Sequence, residues 1–303
     1  MTDLSTTFAG ISMKNPLITA SGTCGYGREM SELFDLSILG GIAVKGTTPL
    51  PKSGNPPPRI AETPCGMLNS VGLQNPGIDA VISNELPFLR KFDTKIIINI
   101  AGHCLDDYGL LAEKLDGEKD VAALEVNISC PNVAAGGMAF GVDPATAYKV
   151  ISRVREKTSL PVIAKLSPNV TDITEIALAS QEAGADAISL INTFMAMSID
   201  AEKRKPLLAN TTGGLSGPAI KPIALYMVWR TAQTVSVPVI GMGGISSGLD
   251  AVEFMLAGAT AFQIGSVSFH NPYAAPQIIK EINDWCEAHG IKRISELIGA
   301  LKS

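Results

Sequence analysis

The sequence has few of the features that point to metal, nucleic acid or membrane. Its five cysteines, Cys24, Cys65, Cys104, Cys130 and Cys286, are scattered, with no C-x-x-C pair and no nearby histidine to complete a zinc or iron–sulfur site. They read as reduced thiols, and no metal site is expected. Positive charge is also short: 24 Lys and Arg against 29 Asp and Glu leave a net charge of −5, with no basic cluster dense enough to follow a phosphate backbone. Nucleic acid is not an expected partner. No apolar run approaches the roughly 20 residues that span a bilayer, and Met1-Thr2-Asp3-Leu4-Ser5 lacks the basic start and apolar run of a leader. A cytoplasmic protein without a membrane segment is expected.

The chain has 303 residues, of which 46% are hydrophobic, enough to bury a large core, and no stretch divides it into two compositionally different halves. One domain over residues 1–303 is the expectation. Short β-rich apolar runs recur, each followed by a Gly, Ser or Asn turn and a helical pattern, which marks repeated βα units. The spacing predicts strands over Leu17–Ala20, Ile42–Lys45, Lys95–Ile100, Ala123–Ile128, Val162–Leu166, Ala187–Ile191, Val239–Met242 and Ala261–Ile264, with helices such as Pro144–Lys157 and Ile173–Ala183 between them. Eight such strands predict an α/β protein built as one (β/α)8 TIM barrel. A doubly wound open sheet is the rival architecture, but Gly241-Met242-Gly243-Gly244 lacks the spacing of a dinucleotide fingerprint.

Two stretches exceed ordinary βα loops: Gly46 to about Asn75, and Asn192 to about Gly217. Long insertions after strands usually build the active face. The segment Lys52-Ser53-Gly54-Asn55-Pro56-Pro57-Pro58 reads as a loop, because the βα rhythm resumes after it. Catalytic groups of such a barrel project from the C-terminal strand ends. There stand Ser21, Lys45, Asn99, Asn127, Lys165, Asn192 and Thr193. Each alone has a structural explanation, since a lysine can snorkel and a strand-end Asn can cap a helix. Their convergence on one face favours function.

Glycine turns follow the last two strands, at Gly241 to Gly248 and at Gly265-Ser266. They expose backbone N–H groups where barrels commonly hold a phosphate. Asn127-Ile128-Ser129-Cys130-Pro131-Asn132 places a cysteine on a loop stiffened by proline. A free thiol has a pKa of ~8.5, so Cys130 is suited to act as a base or a nucleophile. Nucleophilic thiols usually recruit a histidine, and of His103, His270 and His289 only His103 sits near a strand's C-terminal end. A Cys–His hydrolase is disfavoured.

With these residues in hand, the chain resembles the dihydroorotate dehydrogenases over nearly its whole length, and most closely the NAD-linked class 1B catalytic subunits. The landmarks are Ala20-Ser21-Gly22-Thr23, Val44-Lys45-Gly46-Thr47-Thr48, GMLNSVGLQNPG from Gly66 to Gly77, NISCPN from Asn127 to Asn132, and GGLSGPAIKP from Gly213 to Pro222. The resemblance implies bound FMN, with its phosphate on Gly243, Gly244, Gly265 and Ser266, and Ser21, Lys45, Gly46, Asn99, Asn127, Lys165, Ile191 and Gly217 on the remainder. It implies that Lys45, Asn69, Ser70, Val71, Gly72, Leu73, Asn127, Asn192 and Thr193 surround dihydroorotate or orotate, whose ring offers both donors and acceptors. Cys130 would remove the C5 proton, and Lys165 would stabilise negative charge on the reduced flavin.

The same resemblance implies a partner subunit carrying FAD and a [2Fe–2S] cluster that passes electrons to NAD+, in a heterotetramer of two of each chain. The pathway implied is de novo pyrimidine (UMP) biosynthesis. A class 1A enzyme would instead work alone with fumarate, but GLQNPG and GGLSGPAIKP favour class 1B. A dihydropyrimidine dehydrogenase-like flavoprotein, a flavin-free barrel lyase or isomerase acting on a sugar phosphate, and a non-catalytic scaffold are the remaining readings.

Overall fold

The structure, a computed structural model, describes residues 2–129 and 141–302. Eight strands close into a barrel: β1 (Leu17–Thr19), β2 (Gly41–Ala43), β3 (Lys95–Ile100), β4 (Val121–Asn127), β5 (Val162–Lys165), β6 (Ala187–Leu190), β7 (Val239–Met242) and β8 (Ala259–Ile264). Every neighbouring pair is parallel and the order follows the chain, with β8 returning to β1. This is the predicted TIM barrel, and it excludes the open doubly wound sheet. The predicted strands lie in place to within two residues at either end. The Pro144–Arg155 and Ile173–Glu182 helices begin where expected, because Asp143 and Asp172 cap them through the N–H groups of Thr146 and Thr174 at 2.8 and 2.9 Å.

The strand period of two turns alternate residues into the lumen. One inward layer is Ile18, Ala43, Ile97, Ala123, Ile163, Ala187, Ile240 and Ala261, in strand order. Odd strands supply isoleucine and even strands alanine, so four branched side chains fill the axis and four methyls make room for them. Below this layer an antiparallel hairpin, Thr6–Phe8 with Ile11–Met13, packs Phe8, Ile11 and Met13 into the same cluster and closes the N-terminal end. The sequence reading did not anticipate this plug, whose strands of three residues are too short to show a period.

The two long insertions are more ordered than loops. Ile60–Thr63 and Gly66–Asn69 from the first pair antiparallel with each other. Gly66–Asn69 also pairs with Gly213–Ser216 from the second insertion, which in turn pairs with Phe194–Ala196. A four-stranded sheet therefore joins two segments far apart in sequence. Lys52 to Pro58 stays outside it, anchored by backbone bonds between Lys52 and Asn75 at 2.9 and 3.0 Å.

Candidate active site

Two residues beyond the apolar layer, the same strands turn a second set of side chains inward: Ala20, Lys45, Asn99, Glu125, Lys165, Ser189, Met242 and Gln263. Glu125 is fully buried at the centre. Its Oε2 accepts from Asn99 Nδ2 at 2.7 Å and from Lys165 Nζ at 3.4 Å. Its Oε1 accepts from Gln263 Nε2 at 2.7 Å and from Ser189 Oγ at 3.0 Å. Strands β4 and β8 lie on opposite sides of the barrel, so the Glu125–Gln263 bond crosses the lumen. Two buried acceptors are left over: Asn99 Oδ1 and Gln263 Oε1 have no hydrogen-bond partner. Orphaned buried acceptors are costly, at about 1–3 kcal/mol each, unless a ligand or water meets them.

The other candidate residues surround this layer. A Cβ on Gly46 would lie 3.0 Å from Asn99 Oδ1 and 3.2 Å from Leu73 Cδ2, so Gly46, Asn99 and Leu73 converge. Lys45 Nζ lies 3.4 Å from where a Cβ on Gly22 would stand, next to Ser21. Lys45 is half-buried. Burial pushes its ammonium below the ordinary lysine range, and the positive charge of Arg59 pushes the same way. Arg59 is held in turn by Asn55 O at 3.3 Å and Gln74 Oε1 at 2.5 Å. Asn127 Oδ1 accepts from Asn192 Nδ2 at 3.4 Å and Ser129 N at 3.1 Å, while Asn192 Oδ1 accepts from Thr193 N at 2.9 Å. Asn69 bonds Gly214 O at 3.4 Å, and Gly214 packs against Thr193.

The segment Asn69 to Leu73 is bent over the barrel mouth by left-handed backbone at Gly72 (φ 76°) and Leu73 (φ 54°). Asn55 N donates to Val71 O at 3.0 Å, and Ser70 N donates to Arg59 O at 2.8 Å. The Ser70 hydroxyl oxygen is buried without a partner.

The glycine turns lie at the other side of the mouth. Gly243 approaches Ile191, with 3.2 Å between a Cβ added there and Ile191 Cγ1, and Gly244 approaches Gly217 O at 2.9 Å in the same sense. Gly265 faces Ala20 at 3.4 Å. Among the described residues, none of the N–H groups of Gly243, Gly244, Gly265 and Ser266 takes part in the loop and turn hydrogen bonds. A cleft of about 320 Å³ opens here, lined among others by Gly217, Gly244, Ser246, Ser266, Cys65 and His270. Lys221, nearby, is engaged by the Asp250 and Glu253 carboxylates, the latter at 2.8 Å. Of these groups, that leaves backbone N–H groups rather than Lys221 as the donors free to meet an anion.

The structure thus groups Lys45, Gly46, Leu73, Asn99 and Lys165 about the polar layer, links Asn127, Asn192 and Thr193 to one another, and sets Gly217, Gly244 and Ser266 along one cleft, while His103 and His289 are exposed. Cys130 lies outside the described residues. Sequence reasoning missed Glu125, Ser189 and Gln263, although a lone charge inside the apolar run VAALEV was a signal. It missed Arg59, for which no local signal existed. It also set aside His270, which lines the cleft. Among the described residues no group of three His, Cys, Asp or Glu is placed to hold a metal, and no helix is long and apolar enough to cross a membrane.

A closed parallel barrel with an amide- and lysine-lined mouth beside a glycine-lined cleft defines a TIM-barrel protein whose candidate site lies at the C-terminal ends of the strands. The sequence model of the dihydroorotate dehydrogenase family matches residues 3–285, and the chain belongs to that family of oxidoreductases. It is 59% identical over 299 residues to the dihydroorotate dehydrogenase B (NAD(+)) catalytic subunit of Geotalea uraniireducens, covering 99% of this chain and 98% of that one. The proteins of the same name from Geotalea daltonii and Geobacter sulfurreducens are 58% and 57% identical over 300 residues, with the same coverage.

Proposed function

We propose that this chain, acting as a single FMN-binding catalytic domain, oxidises (S)-dihydroorotate to orotate in de novo pyrimidine biosynthesis. The observation that carries the reading is the buried polar layer under the barrel mouth, with its orphaned acceptors Asn99 Oδ1 and Gln263 Oε1 and the lysines Lys45 and Lys165. The names of the relatives support the substrate and NAD+ as the final acceptor.

The residues fit FMN in two respects. Gly243 and Gly244 have left-handed backbone packed too closely against Ala224, Lys221 and Gly217 for a side chain, which keeps the turns beside the cleft tight and their N–H groups available for a phosphate. The orphaned acceptors and the Lys165 ammonium match a flat ring whose edge alternates acceptors and an N–H donor. Gly243, Gly244, Gly265 and Ser266 would hold the phosphate; Ser21, Lys45, Gly46, Asn99, Asn127, Lys165, Ile191 and Gly217 would hold the remainder. Bound there, FMN supplies the hydride acceptor.

The chain's own residues do the remainder. Lys45 places a positive charge against the substrate carboxylate, and Asn69, Asn127 and Asn192 offer amides to a ring of mixed donors and acceptors. The segment Ser70 to Leu73 and Thr193 roof the substrate, which excludes water and sharpens these electrostatics. Cys130 accepts the proton from C5. Loss of that proton and of hydride from C6 leaves the C5=C6 double bond of orotate. Electrons leave through a partner subunit carrying FAD and a [2Fe–2S] cluster, in a cytoplasmic heterotetramer of two of each chain. The expression "catalytic subunit" in the relatives' names supports such a partner.

The purified chain is expected to be yellow and to bleach under anaerobic conditions when dihydroorotate is added. A flavin that stays oxidised overturns the substrate assignment, and rapid reoxidation by fumarate overturns the NAD-linked reading. Cys130→Ala is expected to bind orotate while reducing flavin ~10²–10⁴-fold more slowly, the usual contribution of a positioned general base.

A further inference from the structure

We propose that Glu125 is a positioning residue: it fixes the orientation of the Asn99 amide and the place of Lys165, and its negative charge sets the redox potential of the flavin held above them. This rests on the FMN reading given above and assigns a role within it to a residue that never touches substrate.

Glu125 is the only group of the second inward layer that carries negative charge, and all four of its hydrogen-bond partners there are donors. Two oxygens provide about four acceptor directions, and four donors from β3, β5, β6 and β8 occupy them. Committing Asn99 Nδ2 to Glu125 at 2.7 Å turns Asn99 Oδ1 to the far side of the amide, where it stands unpartnered beside Gly46. Gln263 is held the same way, with Nε2 on Glu125 and Oε1 unpartnered. Glu125 therefore makes both amides present acceptors rather than donors to a ligand, which selects an N–H at the opposing position.

The second consequence is electrostatic. Lys165 is about 5% exposed, and its ammonium has Glu125 as its sole ion-pair partner among the described residues, at 3.4 Å. At that depth charges are weakly screened. The carboxylate cancels part of the field that the ammonium projects toward the mouth. An isosteric Glu125→Gln change removes the cancelling charge and leaves the cation, so added negative charge on the flavin is held more strongly. It also puts an amide N–H among donors: with the glutamine oxygen kept on Lys165 and Asn99, which both donate, the N–H groups face Ser189 Oγ and Gln263, and Gln263 meets them by turning its oxygen inward.

The test is a cycle of E125Q, K165M and E125Q/K165M in the full chain. Flavin midpoint potential is read by spectroscopic titration against reference dyes, and oxidised-FMN affinity by fluorescence quenching. E125Q is expected to weaken oxidised FMN and to tighten reduced relative to oxidised FMN at least tenfold, an upward shift of about 30 mV for a two-electron couple. K165M is expected to lower the potential, and E125Q to raise it in the K165M background as it does in the parent, because the fields of the two charges add at the flavin. An unchanged potential in E125Q, or an E125Q/K165M potential no higher than that of K165M, overturns the proposal. If E125Q does not fold alone, the comparison of E125Q/K165M with K165M decides it by the same criterion. A purely structural role would weaken binding of both flavin states without raising the potential. A parent chain that neither turns yellow nor quenches FMN fluorescence overturns the FMN reading itself, whereas flavin bound at an unmoved potential overturns the role of Glu125 alone.

Discussion

Replacing Gly217 by alanine tests whether the roof sheet and the glycine cleft are one device. Gly217 has φ 104° and ψ −172°, a region occupied almost only by glycine, and a side chain held there costs about 1–3 kcal/mol. The new Cβ would also stand 2.6 Å from Gly66 Cα and 3.3 Å from Cys65 O. Both are backbone atoms, which no rotamer change moves aside, so relief requires shifting the end of the Gly66–Asn69 strand. Overpacking of that kind costs a further ~1–3 kcal/mol. The sum is about 2–6 kcal/mol. Gly117→Ala is the control, since Gly117 has φ −90° and nothing within 4 Å of an added Cβ. That change is expected to be neutral or to stabilise by up to about 1 kcal/mol through the unfolded chain. At about 2 °C per kcal/mol for a long chain, thermal unfolding without added flavin should place Gly217→Ala about 4–12 °C below the parent and Gly117→Ala level with it or slightly above. Because Gly217 lines the cleft, added FMN should raise the melting temperature of the parent more than that of Gly217→Ala. A Gly217→Ala chain that melts with the parent refutes the steric argument.

The depressed Lys45 value predicts a pH effect on ligand binding. A lysine whose value is lowered loses its charge at lower pH than an exposed lysine, so orotate affinity, followed through flavin absorbance, should fall as pH rises, with a midpoint below the ordinary lysine value. Arg59→Ala removes a positive neighbour and should move that midpoint upward; a midpoint that moves down or stays in place contradicts the assignment. Thiol labelling followed by mass mapping of the native chain at neutral pH should modify the exposed Cys65 and Cys104 and spare the buried Cys24 and Cys286. Burial pushes the Cys24 thiol up to about 11 and raises Cys286 as well, and rapid labelling of Cys24 would contradict its burial. Phe8→Ala empties the plug of the barrel floor and should cost about 3–5 kcal/mol by chemical denaturation; a loss under 1 kcal/mol would show that the hairpin does not seal the barrel.

Much of the barrel was legible because each strand is a short apolar run followed by a turn and an amphipathic helix, a pattern that repeats locally. Lys45, Asn99, Asn127 and Lys165 were legible for the same reason, since a polar residue at the end of a buried run has a known destination in this fold. The roof sheet was not. Asn69 pairs with Gly214 across a sequence separation of 145 residues, and no local period announces such a partner. Glu125 was hidden differently: its carboxylate is satisfied only by side chains from β3, β5, β6 and β8, three of which follow it in sequence by tens of residues. Read within its own strand it is a lone charge in an apolar run, and only closure of the barrel supplies its donors.

The two inward layers divide the work by a shift of two residues. In the lower one, alternating isoleucine and alanine fill the axis, and Phe8, Ile11 and Met13 close the floor. Water therefore has no path to the upper layer from below. The same eight strands, two residues on, carry Lys45, Asn99, Glu125, Lys165, Ser189 and Gln263, all but Lys45 almost wholly withdrawn from solvent. Burying six polar side chains over an apolar floor opposes stability unless they bond one another, and Glu125 bonds four of them. Its four bonds leave Asn99 Oδ1 and Gln263 Oε1 unsatisfied, and these are the atoms that the proposed flavin would complete. A one-residue slip of any strand would exchange these side chains with those facing the helices, losing floor and site together. The apolar layer that makes the barrel stable is therefore also what fixes the register of its chemistry.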